Sequence, residues 1–244
     1  MPPDLIATYT KDLEIELYGE KKLLETFHFF TREGGLFRAD EYLVIGGDFQ
    51  FYLDVYSVGC TTPGYYIDMG CAYLDDGANQ QDVTNTLLDF DMEDQLTTKR
   101  VGRIAYRDFN FLEDDGVVVT AKQIKSAVVD ADFRGAGLAS NIYRMLTEKH
   151  EHLVCDNMQS ISGGSLWASS ILTIGEVRVY DTIKTKFIDV LGKLGMGKNG
   201  ALPWSCHNLT IEEIEMWGRH YNKVEACHHI VNILSKSGLY EELN

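Results

Sequence analysis

A chain of 244 residues with 45% apolar content can bury an ordinary core, as one large domain or two smaller ones. Its net charge of −15 repels nucleic-acid phosphates, so an amine-bearing small molecule or a basic protein surface is the expected partner and nucleic acid is not. The amino terminus lacks a basic, apolar leader and no apolar run reaches membrane-spanning length, which predicts a soluble cytoplasmic protein with no membrane partner.

Charge is unevenly spread, with 7 basic and 19 acidic side chains up to Arg100 against 15 and 18 beyond it. Along this acidic part, residues 19–32 read as a helix, because Leu23, Leu24, Phe27 and Phe30 fall on one face before Gly34-Gly35. Runs rich in aromatic and β-branched residues at 42–45, 49–58 and 65–74 read as an antiparallel meander. The polar stretch 75–99, with a short helix at 82–90, is the candidate boundary between an N-terminal α/β part (1–98) and the remainder (99–244), which also read as one continuous domain.

Five cysteines, Cys60, Cys71, Cys155, Cys206 and Cys227, are odd in number and lack CxxC spacing, which predicts reduced thiols. Cys206-His207 and Cys227-His228-His229 lack the closely spaced ligand pairs of structural zinc sites, so no metal is expected.

The stretch Val128-Val129-Asp130-Ala131-Asp132-Phe133-Arg134-Gly135-Ala136-Gly137-Leu138-Ala139 runs from an apolar strand through glycines into an amphipathic helix carrying Leu138, Ile142, Met145 and Leu146 on one face. Glycines let backbone N–H groups crowd an anion, and the helix start adds the positive end of its dipole. Gly137 is followed by Leu138 rather than Lys, which excludes a nucleotide-triphosphatase loop; Ser140 stands where a dinucleotide motif needs glycine. The same turn also serves as a plain strand-to-helix connection in any α/β protein.

Downstream come a short strand at 153–156, Asn157, and a lengthened turn through Ser160, Ser162, Gly163, Gly164 and Ser165 to Trp167, then a strand at 176–181. A glycine-rich loop covers 192–200. Thr210 and Glu213 form a capping box for a C-terminal helix whose stripe of Ile214, Trp217, Tyr221, Val224, His228, Val231 and Leu234 runs to Gly238, to pack on the sheet or on a second subunit.

The pattern Arg134-x-x-Gly137-x-Ala139, with Gly135 and the preceding Val128, Val129 and Phe133, resembles the acyl-CoA pyrophosphate loop of the GNAT acetyltransferase superfamily over roughly residues 100 to 185. The resemblance implies an α/β fold: a mixed, mostly antiparallel sheet flanked by helices, with acetyl-CoA as substrate in a cleft between splayed central strands. It implies that backbone amides of Arg134, Gly135, Ala136, Gly137, Leu138 and Ala139 hold the pyrophosphate, that Val128 and Val129 pair with pantetheine, and that the acyl group passes to a primary amine without a metal. A tyrosine that protonates the departing thiolate is expected after the strand at 153–156, but this chain has Trp167 there, and indole is no acid. Of the hydroxyls of Ser165, Ser169 and Tyr180, Tyr180 ranks first as the acid. Of Glu113, Asp114, Asp115, Asp130 and Asp132, Glu113 ranks first as the base. Acetyltransferase-like chains of tailed bacteriophages look similar, which leaves two further classes open: a non-catalytic structural protein of a phage particle, and a phage nucleic-acid-modifying enzyme. Host cytoplasm or virion, and a homo-oligomer, follow as expectations.

Overall fold

The computed structural model describes residues 12–17, 19–46, 49–157, 160–192, 195–201 and 229–237. Nine strands make a mixed, mostly antiparallel sheet: β1 (Glu20–Thr31), β2 (Gly35–Ile45), β3 (Phe51–Ser57), β4 (Lys99–Leu112), β5 (Val118–Val129), β6 (His152–Val154), β7 (Gly175–Asp181), β8 (Lys186–Val190) and β9 (Ile230–Lys236). Their order is β1-β2-β3-β4-β5-β6-β9-β7-β8, and the described parallel pairing is β5 with β6. Among the described residues four α-helices accompany them: α1 (Tyr65–Asp75), α2 (Gln80–Asp89), α3 (Leu138–His150) and α4 (Ile161–Trp167). The α/β class read from the sequence is therefore the observed one.

Chain contacts divide the protein into two compact units. The first holds β1 to β3, α1, α2, β4 as far as Tyr106, and Ser126–Asn141; the second holds Arg107–Lys125 and the described residues from Ile142 onward. Residues 75–99 lie wholly inside the first unit.

In the first unit, residues 20–31 form a strand and not the helix that their apolar spacing predicts. β1 pairs antiparallel with β2 from Glu20↔Ile45 to Thr31↔Gly35. Phe29 and Phe30 are both buried, so the far end of β1 is covered on both faces and shows no alternation that would have marked it as a strand. The converse correction falls on 65–74, which form α1 instead of a strand. Tyr66 and Gly70 are its buried positions, and a Cβ on Gly70 would lie 2.4 Å from the Phe30 ring, so the helix settles on that ring only because position 70 has no side chain. Phe30, Leu36, Val58, Tyr66, Val83 and Leu87 form the resulting core cluster. The predicted helix at 82–90 is α2, capped by the Asn79 side chain, which accepts the Asp82 amide at 2.9 Å.

In the second unit, the expected C-terminal helix is corrected at its far end: Val231 and Leu234 belong to β9, while residues 210–228 and Gly238 lie outside the described residues. β9 lies between β6 and β7, so residues 230 to 235 are all buried and carry no period-2 signal. Residues 160–165, expected as a turn, instead open α4, whose N-cap Ser160 accepts the Gly163 amide at 3.1 Å.

The glycine-rich loop after β8 is stapled by one carboxylate. Asp189 accepts the amides of Val190 at 2.8 Å, Asn199 at 3.0 Å and Ala201 at 3.1 Å, and the Asn199 side chain at 3.1 Å. Burial pushes its pKa up, but these donors outweigh burial and hold it below the usual value of 3.8. Asp189→Asn, which turns an NH2 towards N–H donors, is expected to cost about 1–3 kcal/mol at neutral pH, read as a lower urea midpoint at unchanged m. Because the folded-state pKa is depressed, the carboxylate's contribution is fully present above the unfolded value and is lost as pH falls through the folded one. The gap between wild type and variant should therefore close as pH drops below about 3.8.

Candidate functional site

The glycine loop lies entirely in the first unit. β5 ends at Val129, and the Asp130 amide still donates to Val101 O at 2.8 Å. The Asp130 carboxylate then accepts the Asp132 amide at 3.0 Å and Lys99 Nζ at 2.8 Å, which starts a single 3₁₀ turn over Ala131–Phe133. Asp130 and Asp132 thus belong to the scaffold of the turn. The Lys99 ammonium, followed by the Asp132 amide, holds the Asp130 carboxyl below its usual range. Phe133 packs edge-on against Phe37, with ring centroids 6.0 Å apart.

Two amides close the loop on itself: Arg134 N donates to Ala131 O at 3.3 Å and Ala136 N to Phe133 O at 3.2 Å. Gly135 and Gly137 both adopt left-handed conformations, with φ of +87° and +77°, which any side chain would strain. Asn141 donates both its amide and its side-chain Nδ2 to Gly137 O at 3.0 Å, locking the first turn of α3. Ala136 and Leu138 are buried beneath the loop, while Arg134 and Gly135 are exposed.

The consequence is a row of unspent donors. The amides of Gly135, Gly137, Leu138, Ala139 and Ser140 have no acceptor among the described residues. They gather at the N-terminus of a 13-residue helix, beside the exposed guanidinium of Arg134. This arrangement suits an anion with several oxygens. Next to it, an open cavity of about 300 Å³ is lined by Thr31, Arg32 and Glu33, by Gln80 of α2, and by Gly137 and Asn141 of the loop.

Strand parity sorts Val128 from Val129. Asp130 donates towards β4, and a Cβ on Gly102 would lie 3.4 Å from Val128 O, so residues 128 and 130 face β4. Alternation turns the backbone of Val129 and Ala127 to the opposite edge.

In the second unit, the parallel pairing of β5 with β6 is registered at Lys122↔Leu153 and Gln123↔Val154 only. Immediately beyond these rungs, Lys125 Nζ pairs with Asp156 Oδ1, which also accepts the Asn157 amide at 2.8 Å. Burial raises the Asp156 pKa above its usual value, against the opposing pull of Lys125, the Asn157 amide and Arg107. Gln123 Nε2 donates to Cys155 O at 3.2 Å and Asn157 Oδ1 at 3.1 Å, whereas its buried Oε1 has no partner among the described residues. The Cys155 thiol accepts the Asn232 amide at 3.1 Å and is pushed up to about 12 by burial, so it is not a nucleophile. Asp156 went unseen in the sequence because it reads as the end of a strand. Nothing local signals a lysine 31 residues upstream that meets it through strand register.

The sequence-predicted acid and base are brought close together in this unit. Tyr180, 3% exposed, accepts the Leu112 amide on its hydroxyl at 3.1 Å, and its ring lies 5.0 Å from Phe187 and 6.0 Å from Phe111. Glu113 takes Arg178 Nη2 on both carboxylate oxygens at 2.7 Å, and Asp114 takes Nη1 at 3.1 Å. The Arg178 guanidinium itself stacks 3.5 Å above Phe187. Trp167 is a core residue, 1% exposed and packed on Tyr143. Ser169 donates to Ser165 O at 2.6 Å, a bond within the local turn.

Among the described residues, no group of three or more His, Cys, Asp or Glu side chains is gathered to hold a metal; Cys206, His207, Cys227 and His228 lie outside them. No helix among them is long and apolar enough to cross a membrane. No protein-family model matches the chain, and no curated protein matches it significantly.

Proposed function

We propose that the chain is an acetyl-CoA-dependent N-acyltransferase of the GNAT type, transferring an acyl group to a primary amine of a small molecule or protein. The observation that carries this reading is the set of five amides at Gly135, Gly137, Leu138, Ala139 and Ser140, beside Arg134, that have no acceptor among the described residues. A diphosphate offers the oxygens that these donors lack. The reading is supported further by the outward-turned backbone of Val129, available to the amides of pantetheine, and by the parallel pairing of β5 with β6, which is registered over two rungs. Tyr180 remains the proposed thiolate acid, since its hydroxyl accepts the Leu112 amide and keeps its own proton to give. Glu113, the proposed base, would first have to part from Arg178.

That last feature favours a second reading, a non-catalytic protein on the same scaffold, in which Glu113–Arg178 and Tyr180 are structural. Calorimetric titration separates the two. Acetyl-CoA should bind the wild-type protein and bind Arg134→Glu roughly tenfold or more weakly, whereas S-acetylpantetheine, which lacks the diphosphate, should bind both variants alike. No acetyl-CoA binding by the wild type would sink the enzymatic reading.

A further inference from the structure

We infer that the open cavity beside the glycine loop selects the adenine base of the coenzyme, with Gln80 accepting from the base's amino group and Thr31 donating to its ring edge; this rests on the acyltransferase reading. It assigns a seat to the part of the donor molecule that the row of amides does not touch.

The loop fixes which end of the coenzyme lies there. Val129 and Ala127 turn their backbone to the edge of β5 that faces away from β4, so pantetheine leaves the diphosphate on that side. The cavity lies on the opposite flank, because sheet order puts β1 and β2 on the β4 side of β5. It is bounded by Thr31 and the β1–β2 turn and by the first residue of α2, and it shares Gly137 and Asn141 with the loop. A group held beside the diphosphate is a whole pantetheine arm away from the thioester. The occupant is therefore the nucleoside and not the amine that receives the acyl group.

The walls match a base. At about 300 Å³ the cavity stands at the small end of the range of ligand pockets, roughly 300–1,000 Å³, which suits one bicyclic ring with the ribose in the open mouth. Leu74 supplies an apolar wall. Gln80 spends both Nε2 hydrogens within the protein, on Phe30 O and on Asn141 Oδ1 at 3.3 Å. Its amide is thereby fixed, and Oε1, which no donor among the described residues serves, is the atom it offers. Thr31, 5% exposed, is complementary: its Oγ1 accepts the Gly34 amide at 3.1 Å, and its own hydrogen has no acceptor among the described residues. Because Gln80 is held by the carbonyl of Phe30, the residue before Thr31, the two groups are set close together. One acceptor beside one donor is what the N6 amino group and N7 of adenine complete, whereas guanine would bring its O6 against Oε1.

Charge at the rim points the same way. Glu33 is exposed with no cationic partner among the described residues, and the Arg32 guanidinium is already paired with Asp75 at 2.8 Å. A phosphate is repelled from this mouth and a neutral base is not, so the phosphates stay on the amides and Arg134.

The test is calorimetric titration of the whole protein with acetyl-CoA, with S-acetylpantetheine, and with the 1,N6-etheno derivative of acetyl-CoA, in which a third ring ties up the amino group. The wild type should bind the etheno derivative roughly tenfold or more weakly than acetyl-CoA, because Gln80 Oε1 loses its donor. Leu74→Trp, which fills the cavity, should bind acetyl-CoA roughly tenfold or more weakly than the wild type and no better than the etheno derivative, while its affinity for S-acetylpantetheine is unchanged. Etheno and natural coenzymes binding the wild type within about twofold of each other overturns the inference, and this comparison needs no variant to fold. Unchanged acetyl-CoA affinity in Leu74→Trp overturns it as well. Either result leaves the acyltransferase reading standing, whereas absence of acetyl-CoA binding by the wild type overturns that reading and the adenine seat with it.

Discussion

Asp54→Ala is expected to cost about 3–5 kcal/mol of folding stability, the range typical of breaking a buried ion pair by removing one partner. Asp54 and Arg103 are cross-strand partners on β3 and β4, and both side chains are fully buried. The carboxylate accepts Arg103 Nε at 2.7 Å and lies 3.2 Å from Arg100 Nε. The guanidinium groups donate onward to backbone: Arg103 Nη1 to Ile15 O at 3.1 Å and Arg100 Nη1 to Leu13 O at 2.8 Å. Deleting the carboxylate leaves Arg103 without its anion and without contact with water, beside an Arg100 whose remaining carboxylate partner is Glu16. Against a total stability of about 5–15 kcal/mol, the variant should stand near its unfolding transition at 37 °C. Asp54→Ala/Arg103→Met, which removes the stranded charge, should recover part of the loss, because an apolar replacement of a buried pair is often close to neutral. Urea melts of the three proteins measure this. A loss below about 1 kcal/mol for Asp54→Ala would mean that water reaches the pair and that the β3–β4 contact is an ordinary surface one.

What the sequence disclosed depended on how many sides of an element water touches. α3 keeps a wet face, so its 3.6 period is readable, and Leu138, Ile142 and Leu146 are buried as their spacing predicts. β9 reads as helix for the opposite reason: residues 230 to 235 are all buried, and a strand covered on both faces writes a continuous apolar run that a helix shares. β1 is covered on both faces only at Phe29, Phe30 and Thr31; over residues 20 to 26 it is exposed, and Leu23, Leu24, Phe27 and Phe30 fall at helical spacing. α1 was misread because Tyr65, Tyr66 and Tyr73 are strand formers by propensity, while the contact that decides the matter, Gly70 against Phe30, spans forty residues. The site divides likewise. The glycine loop is a local object, since its donors, turns and helix start all lie within residues 130 to 141, and it was legible. Tyr180 and Glu113 were chosen by residue type, whereas their surroundings are supplied by Leu112, Phe187 and Arg178 from separate strands. Lys125 and Asp156 meet only through strand register, which no spacing encodes.

Gly137→Trp is expected to weaken acetyl-CoA binding by roughly a hundredfold or more, because two or more charge-assisted hydrogen bonds at about 1.5–3 kcal/mol each would be lost. The fold should tolerate the change. A Cβ at position 137 meets Asn141 Nδ2 at 3.4 Å and Thr31 Cγ2 at 3.8 Å, ordinary van der Waals contacts for that atom. The backbone cost is that of one residue held at a φ of +77°, roughly 1–2 kcal/mol. The indole would then occupy the cavity mouth that Gly137 lines and stand over the amides of Leu138 and Ala139. Gly135→Ala is the matched control. Position 135 has a φ of +87° and open space where a Cβ would go, so it incurs the same backbone strain without filling the anion's seat. Loss of affinity in Gly137→Trp alone ties binding to the free amides. Equal losses in both variants would trace the effect to strain in the turn, and unchanged affinity in Gly137→Trp would move any acyl-CoA site away from this loop, since no diphosphate could share that space with an indole.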